Sequence, residues 1–315
     1  MNCNNEETLW VEKYRPSTIK DCILKKSTKR EFNDIIKNGK IPNLLFFGNA
    51  GSGKTTAAKA LCNQIGLDWI LINASSERGI DTIRDTIRGF ASSVSLSGNG
   101  KCIICDESDG FGQVAQAGVR GVIEEFSKSC SFIFTANYPN KLIPALHSRL
   151  APIDFNADPN ELEEMQARFY MRVVDILNNE NIEYDDASIA SIVQKYFPDN
   201  RKILNILQQY SRNGKIDEGI LLQNRDVDVD ELVKSLKAKK FKDIANWAEQ
   251  NKQNDTAMLY EMLYKTLRQE VDSKCLPDVI LTIADYQRYD SVVPSKELHL
   301  TALCTELMMN VEFKK

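Results

Sequence analysis

The spacing of apolar positions changes about halfway along this chain of 315 residues. Up to about residue 155, short apolar runs alternate with amphipathic segments, and this alternation predicts a parallel sheet flanked by helices. The predicted strands cover residues 44–47, 69–72, 102–105 and 131–136. After residue 155 the apolar positions recur at helical spacing, which predicts helices only.

The helical half divides again at a polar, acidic stretch, residues 223–231. Beyond this stretch, helical runs at 232–240, 241–250, 257–271 and 277–289 predict a separate helical bundle. We therefore expect three domains, covering residues 1–156, 157–225 and 226–315.

The composition is that of a soluble globular protein, with 43% hydrophobic and 27% charged residues. No apolar run approaches the roughly 20 residues that cross a bilayer, and the N-terminus lacks the apolar core of a signal peptide. We therefore predict a cytoplasmic protein without a membrane partner. The net charge of −4 is uneven, because residues 1–156 carry 19 basic and 16 acidic side chains whereas residues 157–315 carry 21 and 28. The first part can therefore present a local phosphate-binding face.

Eight cysteines are scattered along the chain, and only Cys102 and Cys105 have the spacing of zinc ligands. Both lie in a predicted strand, where successive side chains face opposite sides, so an odd spacing points these two thiols apart. This favours two buried structural cysteines over a metal site. Reduced thiols fit a cytosolic protein.

The residues after the first predicted strand fill the P-loop pattern G-x-x-x-x-G-K-[ST]. They are Gly48, Asn49, Ala50, Gly51, Ser52, Gly53, Lys54 and Thr55. Backbone N–H groups of such a loop close around phosphates at a helix N-terminus. Lys54 would reach the β- and γ-phosphates, the Thr55 hydroxyl would bind Mg²⁺, and Thr56 completes the predicted nucleotide-binding set. The alternative is a chance glycine-rich turn, but the strand before and the helix after favour a nucleoside triphosphate site.

Two further strand ends carry polar side chains suited to phosphate chemistry. Asp106 and Glu107 end the third predicted strand about fifty residues after the P-loop. This is the Walker B pattern, in which Asp106 would hold Mg²⁺ and Glu107 would activate or orient the attacking water. Asn137 ends the next strand and would orient the same water from beside the γ-phosphate. The alternative for Asn137 is a polar residue that caps a strand end.

These motifs resemble the AAA+ ATPases, and within them the ATPase subunits of sliding-clamp loaders. Five more segments carry the resemblance: residues 10–16 (WVEKYRP), 73–81 (NASSERGID), 106–109 (DESD), 148–150 (SRL) and 198–202 (PDNRK). Four of them depart from the family pattern, with Ser76 for Asp, Ser108 for Ala, Leu150 for Cys, and Pro198 and Lys202 for Gly and Arg. The resemblance covers about residues 8–222, and the C-terminal bundle matches only in length and helical character. The short chain is most similar to the phage-type loader.

The resemblance implies a RecA-like AAA+ domain over 1–156, an all-α lid over 157–225 and an all-α collar over 226–315 that joins subunits. It implies ATP and Mg²⁺ as cofactors. It also implies an arginine finger at Arg149 that acts in trans on a neighbouring subunit, and a cis contact from Arg201 to the γ-phosphate. Without the family, either arginine is a surface or ion-pair residue. The implied adenine-side residues are Val11, Tyr14, Arg15 and Pro16.

DNA contacts are implied for Arg78, Gly79 and Ile80, at a helix N-terminus suited to phosphate. Arg84 is a further candidate, although six residues from Arg78 is not the same helix face. Arg120, in the helix that also carries Gln116, would either link the DNA-facing helix to the Walker B strand or form a structural ion pair.

The whole pattern predicts the ATP-hydrolysing subunit of a loader that opens a sliding clamp at a primer–template junction during DNA replication. Its expected partners are other loader subunits, the clamp and primer–template DNA, in the host cytoplasm if a phage encodes it. One alternative is another DNA-directed AAA+ ATPase, such as a branch-migration motor or an initiator. A second is a non-catalytic scaffold subunit, which would not need Lys54, Thr55, Asp106 and Glu107 together.

Overall fold

The computed structural model describes residues 9–74, 80–95, 97–212, 214–223, 229–252 and 256–314, with the backbone alone at 80–83, 222–223 and 257–258. The chain divides into two compact units, Met1–Leu221 and Leu222–Lys315. The expected boundary between lid and collar falls at 225–226, outside the described residues.

A five-stranded parallel sheet forms the centre of the first unit. Its strands are β1 (Leu44–Phe47), β2 (Asp68–Asn73), β3 (Lys101–Asp106), β4 (Cys130–Ala136) and β5 (Ala151–Asp154). Their order across the sheet is β2-β3-β4-β1-β5, and all neighbours are parallel. The first four agree with the predicted strands. The apolar pattern misses β5, an edge strand of four residues that contains Pro152, a residue tolerated at an edge but not in a central strand.

Helices cover both faces of this sheet. They are α2 (Lys26–Asn38), α3 (Lys54–Ile65), α4 (Ile80–Ser92), α5 (Gln113–Phe126) and α6 (Pro144–His147), whereas the short helix α1 (Trp10–Lys13), which precedes them, packs on the lid helices. The core on one face contains apolar residues of α2 and α3 together with Cys102. The core on the other face contains residues of α4 and α5 together with Cys105. The predicted opposite orientation of these two thiols is therefore confirmed.

The lid part of the first unit is mostly helical. It contains α7 (Leu162–Asn179), α8 (Asp186–Tyr196), α9 (Asn200–Ser211) and α10 (Gly219–Gln223). Two short parallel strands, β6 (Glu183–Tyr184) and β7 (Lys215–Ile216), pair here, and the prediction of helices only misses them. Trp10 of α1 is buried in the apolar core of these helices, and its backbone N–H donates to Gln208 Oε1.

The second unit is a helical bundle. Its helices are α11 (Val229–Lys237), α12 (Phe241–Asn251), α13 (Thr256–Glu270), α14 (Leu276–Tyr289) and α15 (Lys296–Asn310). The first four agree with the predicted helical runs within about three residues. Leu232, Trp247 and Leu303 belong to their shared apolar core. Among the described helices of either unit, none is long and apolar enough to cross a bilayer.

Candidate nucleotide site

The P-loop connects the buried strand β1 to α3, as its sequence pattern predicts. Lys54 is the first residue of α3 and only 8% exposed. Its ammonium group donates to the carbonyl oxygens of Gly48 and Asn49, both at 2.8 Å, and to Asn137 Oδ1 at 2.9 Å. Burial lowers the pKa of Lys54 to about 8, and the nearby Asp106 carboxylate opposes this shift. The loop thus holds its lysine at the end of the sheet where Asn137 also lies.

A hydrogen-bonded group at the carboxyl ends of β3 and β4 places the Walker B carboxylates. Asp106 Oδ1 accepts from the hydroxyl groups of Thr55 and Thr135, each at 2.6 Å. Thr135 Oγ1 in turn accepts from the Glu107 backbone N–H at 3.0 Å. Glu107 has a φ of 53°, a left-handed conformation that is uncommon for residues other than glycine. Such strain is typical of functional sites, and here it sets where the Glu107 side chain begins.

These groups line one cleft of the first unit. Most of the predicted nucleotide-binding residues line it: Val11, Tyr14, Arg15, Pro16, Ala50, Gly51, Ser52, Gly53, Lys54, Thr55 and Thr56. Gly48 and Asn49 do not line the cleft, and their carbonyl oxygens accept hydrogen bonds from the Lys54 ammonium group. Asp106, Glu107, Asn137 and Arg201 also line the cleft. Arg15 donates to Thr56 Oγ1 at 2.9 Å and pairs with Glu12, whose pKa this pairing lowers.

The lid packs directly on the P-loop. The backbone N–H of Asn200 donates to the Gly51 carbonyl at 3.2 Å. Gly51 has a φ of 72°, and a Cβ there would lie 1.8 Å from Asp199 Oδ1, so only glycine fits. The side chain of Asp199 caps α9 by accepting from the Lys202 N–H. This packing brings Arg201, on the first turn of α9, to the cleft that Lys54 occupies.

Arg149 lies at the amino end of β5, whereas the P-loop follows the carboxyl end of β1. Strand β5 runs parallel to β1 with Ala151 level with Leu44 and Asp154 level with Phe47. The P-loop follows β1, so the two sites are separated by at least the length of these four-residue strands, about 13 Å. Arg149 Nε donates to Glu124 Oε1 at 2.8 Å, and Nη1 donates to the Ala145 carbonyl at 2.7 Å. The structure thus places Arg149 away from the cleft of its own chain.

The predicted DNA-facing residues are only partly described. Arg78 and Gly79 lie outside the described residues, and Ile80 begins α4. Arg84 is half-buried on α4, and its Nε is buried without a hydrogen-bond partner among the described residues. Arg120 is exposed, with no ion pair to any residue that the structure describes.

Gln116 of α5 has a structural role that its sequence motif does not reveal. It is 1% exposed. Its Nε2 donates to the carbonyls of Phe111 and Lys141 at 2.9 and 3.1 Å, and its Oε1 accepts from the Ile143 N–H at 2.7 Å. Gln116 therefore ties the segment after the Walker B strand to the segment that leads to Arg149.

Several lining residues escape the sequence analysis. They are Cys22, Ile23, Leu24, Thr135, Ala136, Phe169, Arg172, Asn200 and Leu204. Thr135 and Ala136 could have been found, because they end β4 directly before Asn137. The lid residues Phe169, Arg172 and Leu204 carry no local signal, since only the packing of α7 and α9 brings them to the cleft.

Family models match three parts of the chain. "ATPase family associated with various cellular activities (AAA)" matches residues 44–155. "Sliding-clamp-loader large subunit, AAA+ ATPase lid domain" matches 161–222, and the C-terminal domain of the same subunit matches 258–312.

Full-length relatives agree with these matches. The chain is 34% identical over 321 residues to the sliding-clamp-loader large subunit of Enterobacteria phage T4, and 32% identical over 317 residues to that of Escherichia phage RB69, with 99% of each chain covered in both cases. It is 37% identical to the replication factor C small subunit of Picrophilus torridus, over 66% of this chain and 65% of that one.

A solved structure shares the fold at low sequence identity. The RuvB Holliday junction branch migration motor of Thermotoga maritima superposes with a TM-score of 0.52 at 14% identity, over 72% of this chain and 80% of that one. This similarity concerns the fold alone. The relatives and the lid and C-terminal models decide the family. The chain belongs to the sliding-clamp-loader large-subunit family, and it is an AAA+ ATPase.

Proposed function

We propose that this ATPase loads a sliding clamp at primer–template junctions during DNA replication, with ATP and Mg²⁺ bound in the cleft of the first unit. One observation carries the proposal. Lys54, Asp106, Glu107 and Asn137 meet at the carboxyl ends of the parallel strands, whereas Arg149 lies at the amino end of β5. Such a site can hold a nucleotide with Lys54 and Arg201 of its own chain, but Arg149 does not reach it from within the same chain. A neighbouring subunit can supply that arginine.

The residues suggest a division of roles in hydrolysis. Lys54 binds the β- and γ-phosphates, and Arg201 binds the γ-phosphate from the lid. The Thr55 hydroxyl and the Asp106 carboxylate, 2.6 Å apart, form an oxygen donor set that suits Mg²⁺. When bound, Mg²⁺ neutralises charge on the phosphate oxygens. Glu107 and Asn137 orient a water toward the γ-phosphorus. As the water oxygen bonds to this phosphorus, the bond from the phosphorus to the bridging β–γ oxygen breaks, Glu107 takes one proton of the water, and ADP and phosphate are the products.

We assign Arg149 to the site of the next subunit. Its guanidinium would stabilise the charge that spreads over the transferring phosphoryl group, a contribution worth about 10³–10⁵ in rate for arginine fingers. In its own chain it is held by Glu124 and the Ala145 carbonyl, at the amino ends of the strands and away from the P-loop. The adjacent subunit would therefore need to approach at this end of the strands.

The remaining assignments follow the family. Residues 1–156, 157–225 and 226–315 serve as ATPase domain, lid and collar, and the collar joins subunits into a ring. Arg78, Gly79, Ile80 and Arg84 contact the DNA backbone, with the clamp bound by the assembled ring. The site of action is the cytoplasm, which is that of the host cell if a phage encodes the chain.

Stimulation of ATP hydrolysis tests the proposed substrate and partners. The assembled complex should hydrolyse ATP faster with its cognate clamp and primer–template DNA than alone. Single-stranded DNA of the same length is the control. If clamp and junction together leave turnover at the basal rate, the loading role is wrong.

Mixing two inactive variants tests the shared site. Arg149→Ala should bind ATP but not hydrolyse it, and Lys54→Ala should bind no ATP but still present its arginine. Mixed complexes should regain part of the activity, because an intact Lys54 can then meet an intact Arg149 across an interface. Arg88→Ala is the matched control, since Arg88 forms a similar exposed ion pair with Glu125 of α5. Normal hydrolysis by Arg149→Ala alone would remove the finger assignment.

A further inference from the structure

One wall of the cleft comes from a segment with little regular structure. This base-side segment, residues 14–24, connects α1 to α2 and contributes Tyr14, Pro16, Cys22, Ile23 and Leu24 to the cleft. Its anchors divide between two cores, because Cys22 and Leu24 belong to the sheet core whereas Tyr14 and Ile23 pack against the lid core. The position of the wall therefore depends on the contacts that join this segment to both.

Two arginines of the lid helix α7 bind the backbone of this segment. Arg172 Nη2 donates to the Tyr14 carbonyl at 2.7 Å, and its Nη1 donates to the Asp21 carbonyl at 3.4 Å. Arg168, one helical turn earlier, donates from Nη2 to the Leu24 carbonyl at 3.0 Å. The guanidinium of Arg172 thus bridges two carbonyls that lie seven residues apart, near the two ends of the segment. The two carbonyls are bound by different nitrogens of the planar guanidinium, a spacing that the single nitrogen of an ammonium group reproduces only in part.

Arg172 differs from an ordinary structural arginine because it also lines the cleft. The other lining groups of this wall are mostly apolar and suit the nucleoside part of a nucleotide, since the P-loop and the carboxylates occupy the phosphate end. A change at Arg172 would move the nucleoside wall. The P-loop would keep its own anchors, which are β1, α3 and the Lys54 hydrogen bonds.

We propose that Arg172 is a positioning residue for nucleoside recognition: it fixes the base-side segment against the lid, so that the nucleoside adds to the affinity that the phosphates provide. This proposal rests on the proposed binding of ATP in the cleft. Arg172 would thus contribute to the affinity for the nucleoside part of ATP. Neither the triphosphate contacts nor the hydrolysis step depends on it.

Binding of ATP and of inorganic tripolyphosphate to the full-length chain separates these contributions. Arg172→Ala should raise the Kd for ATP about tenfold, the loss expected for one charge-assisted hydrogen bond, and leave the Kd for tripolyphosphate within about twofold. Arg172→Lys should lie between, because the single nitrogen of lysine reproduces this two-nitrogen bridge only in part. Met171→Ala is the matched control, since Met171 is the neighbouring residue of α7 and 65% exposed. At saturating ATP, the kcat of the assembled complex with Arg172→Ala should stay within about threefold, because the catalytic groups keep their places.

Two results would overturn the proposal: an unchanged Kd for ATP, or a Kd for tripolyphosphate that rises as much as that for ATP, which would mean that Arg172 binds phosphate itself. If Arg172→Ala does not fold, Arg172→Lys decides alone, because the ratio of the two Kd values must still rise by about threefold for the weaker bridge. Lys54→Ala separates this outcome from a failure of the proposed function. It should abolish binding of both ligands, and normal binding of both would refute the nucleotide site itself.

Discussion

Removing the hydroxyl group of Thr135 should displace Asp106 and Glu107 and slow ATP hydrolysis. Thr135 Oγ1 donates to Asp106 Oδ1 at 2.6 Å and accepts from the Glu107 N–H at 3.0 Å. Valine has nearly the same shape as threonine, so Thr135→Val removes both hydrogen bonds without opening a cavity. Thr135→Ser keeps the hydroxyl and is the matched control.

The structure allows the loss to be estimated. A hydrogen bond to a charged group contributes about 1.5–3 kcal/mol, and an N–H left without a partner costs about 1–3 kcal/mol where water cannot reach it. Asp106 is 9% exposed and Thr135 is 1% exposed, whereas Glu107 is exposed. We therefore count the loss of the hydrogen bond to Asp106 almost fully and the cost of the unpaired Glu107 N–H in part. Together they lower the free energy of unfolding by about 2–4 kcal/mol. The strained backbone of Glu107 is also released, and a shift of about 1 Å in a catalytic group can lower the rate about 100-fold.

Urea unfolding and ATP hydrolysis measure these two effects. Trp247 is the only tryptophan of the second unit, so a Trp247→Phe background lets fluorescence report on the first unit through Trp10 and Trp69. Thr135→Val should lower the free energy of unfolding of the first unit by about 2–4 kcal/mol and remove most of the clamp- and DNA-stimulated ATP hydrolysis. Thr135→Ser should keep most of the stability and most of the activity. A valine variant within about 0.5 kcal/mol of the parent, the range of ordinary surface substitutions, would refute the reasoning.

Three further predictions concern the cleft and the lid. Gly51→Ala should weaken ATP binding at least about tenfold, because its Cβ would displace Asp199, whereas Gly39→Ala, with a similar φ of 67° but open space, should affect stability only, by about 1 kcal/mol; equal ATP affinities would contradict this. Trp10→Ala should lower the unfolding free energy of the first unit by about 3–5 kcal/mol, because Trp10 is buried in the lid core, and a loss below about 1 kcal/mol in urea unfolding would show that α1 does not stabilise the lid. Burial raises the pKa of Cys22 to about 11, so about one thiol in a thousand is ionised at pH 8 and alkylation by iodoacetamide should accelerate as the pH rises toward 11. A labelling rate that is flat from pH 8 to 10 would contradict that assignment.

The sequence predicts the parts of the site whose chemistry is local. The P-loop is one continuous segment between a buried strand and a helix, and Asp106 and Glu107 directly follow a strand, so motif and secondary structure support each other. The fold class follows from the same alternation of strands and helices. The weak edge strand β5 escapes because four residues with one proline carry little pattern.

Tertiary packing supplies what the sequence pattern cannot. Residues 10–16 match a family box, but nothing in that box indicates that Trp10 completes the core of a domain that begins about 150 residues later. Arg172 is similar, because its role depends on where α7 places it relative to the Tyr14 and Asp21 carbonyls. Such contacts depend on the packing of whole elements, which one sequence without its structure does not specify.

The adjacent strands β1 and β5 give each chain a direction. The P-loop follows the carboxyl end of one strand, and Arg149 precedes the amino end of the other. Chains that complete one another in the proposed way must all face the same way around the assembly. A row of such chains that does not close into a full circle has one fewer complete site than it has chains. At one end a nucleotide site has no arginine opposite it, and at the other end an arginine has no nucleotide. A gap in the ring would thus have two chemically different sides, and a companion subunit needs to present only an arginine to restore the missing site.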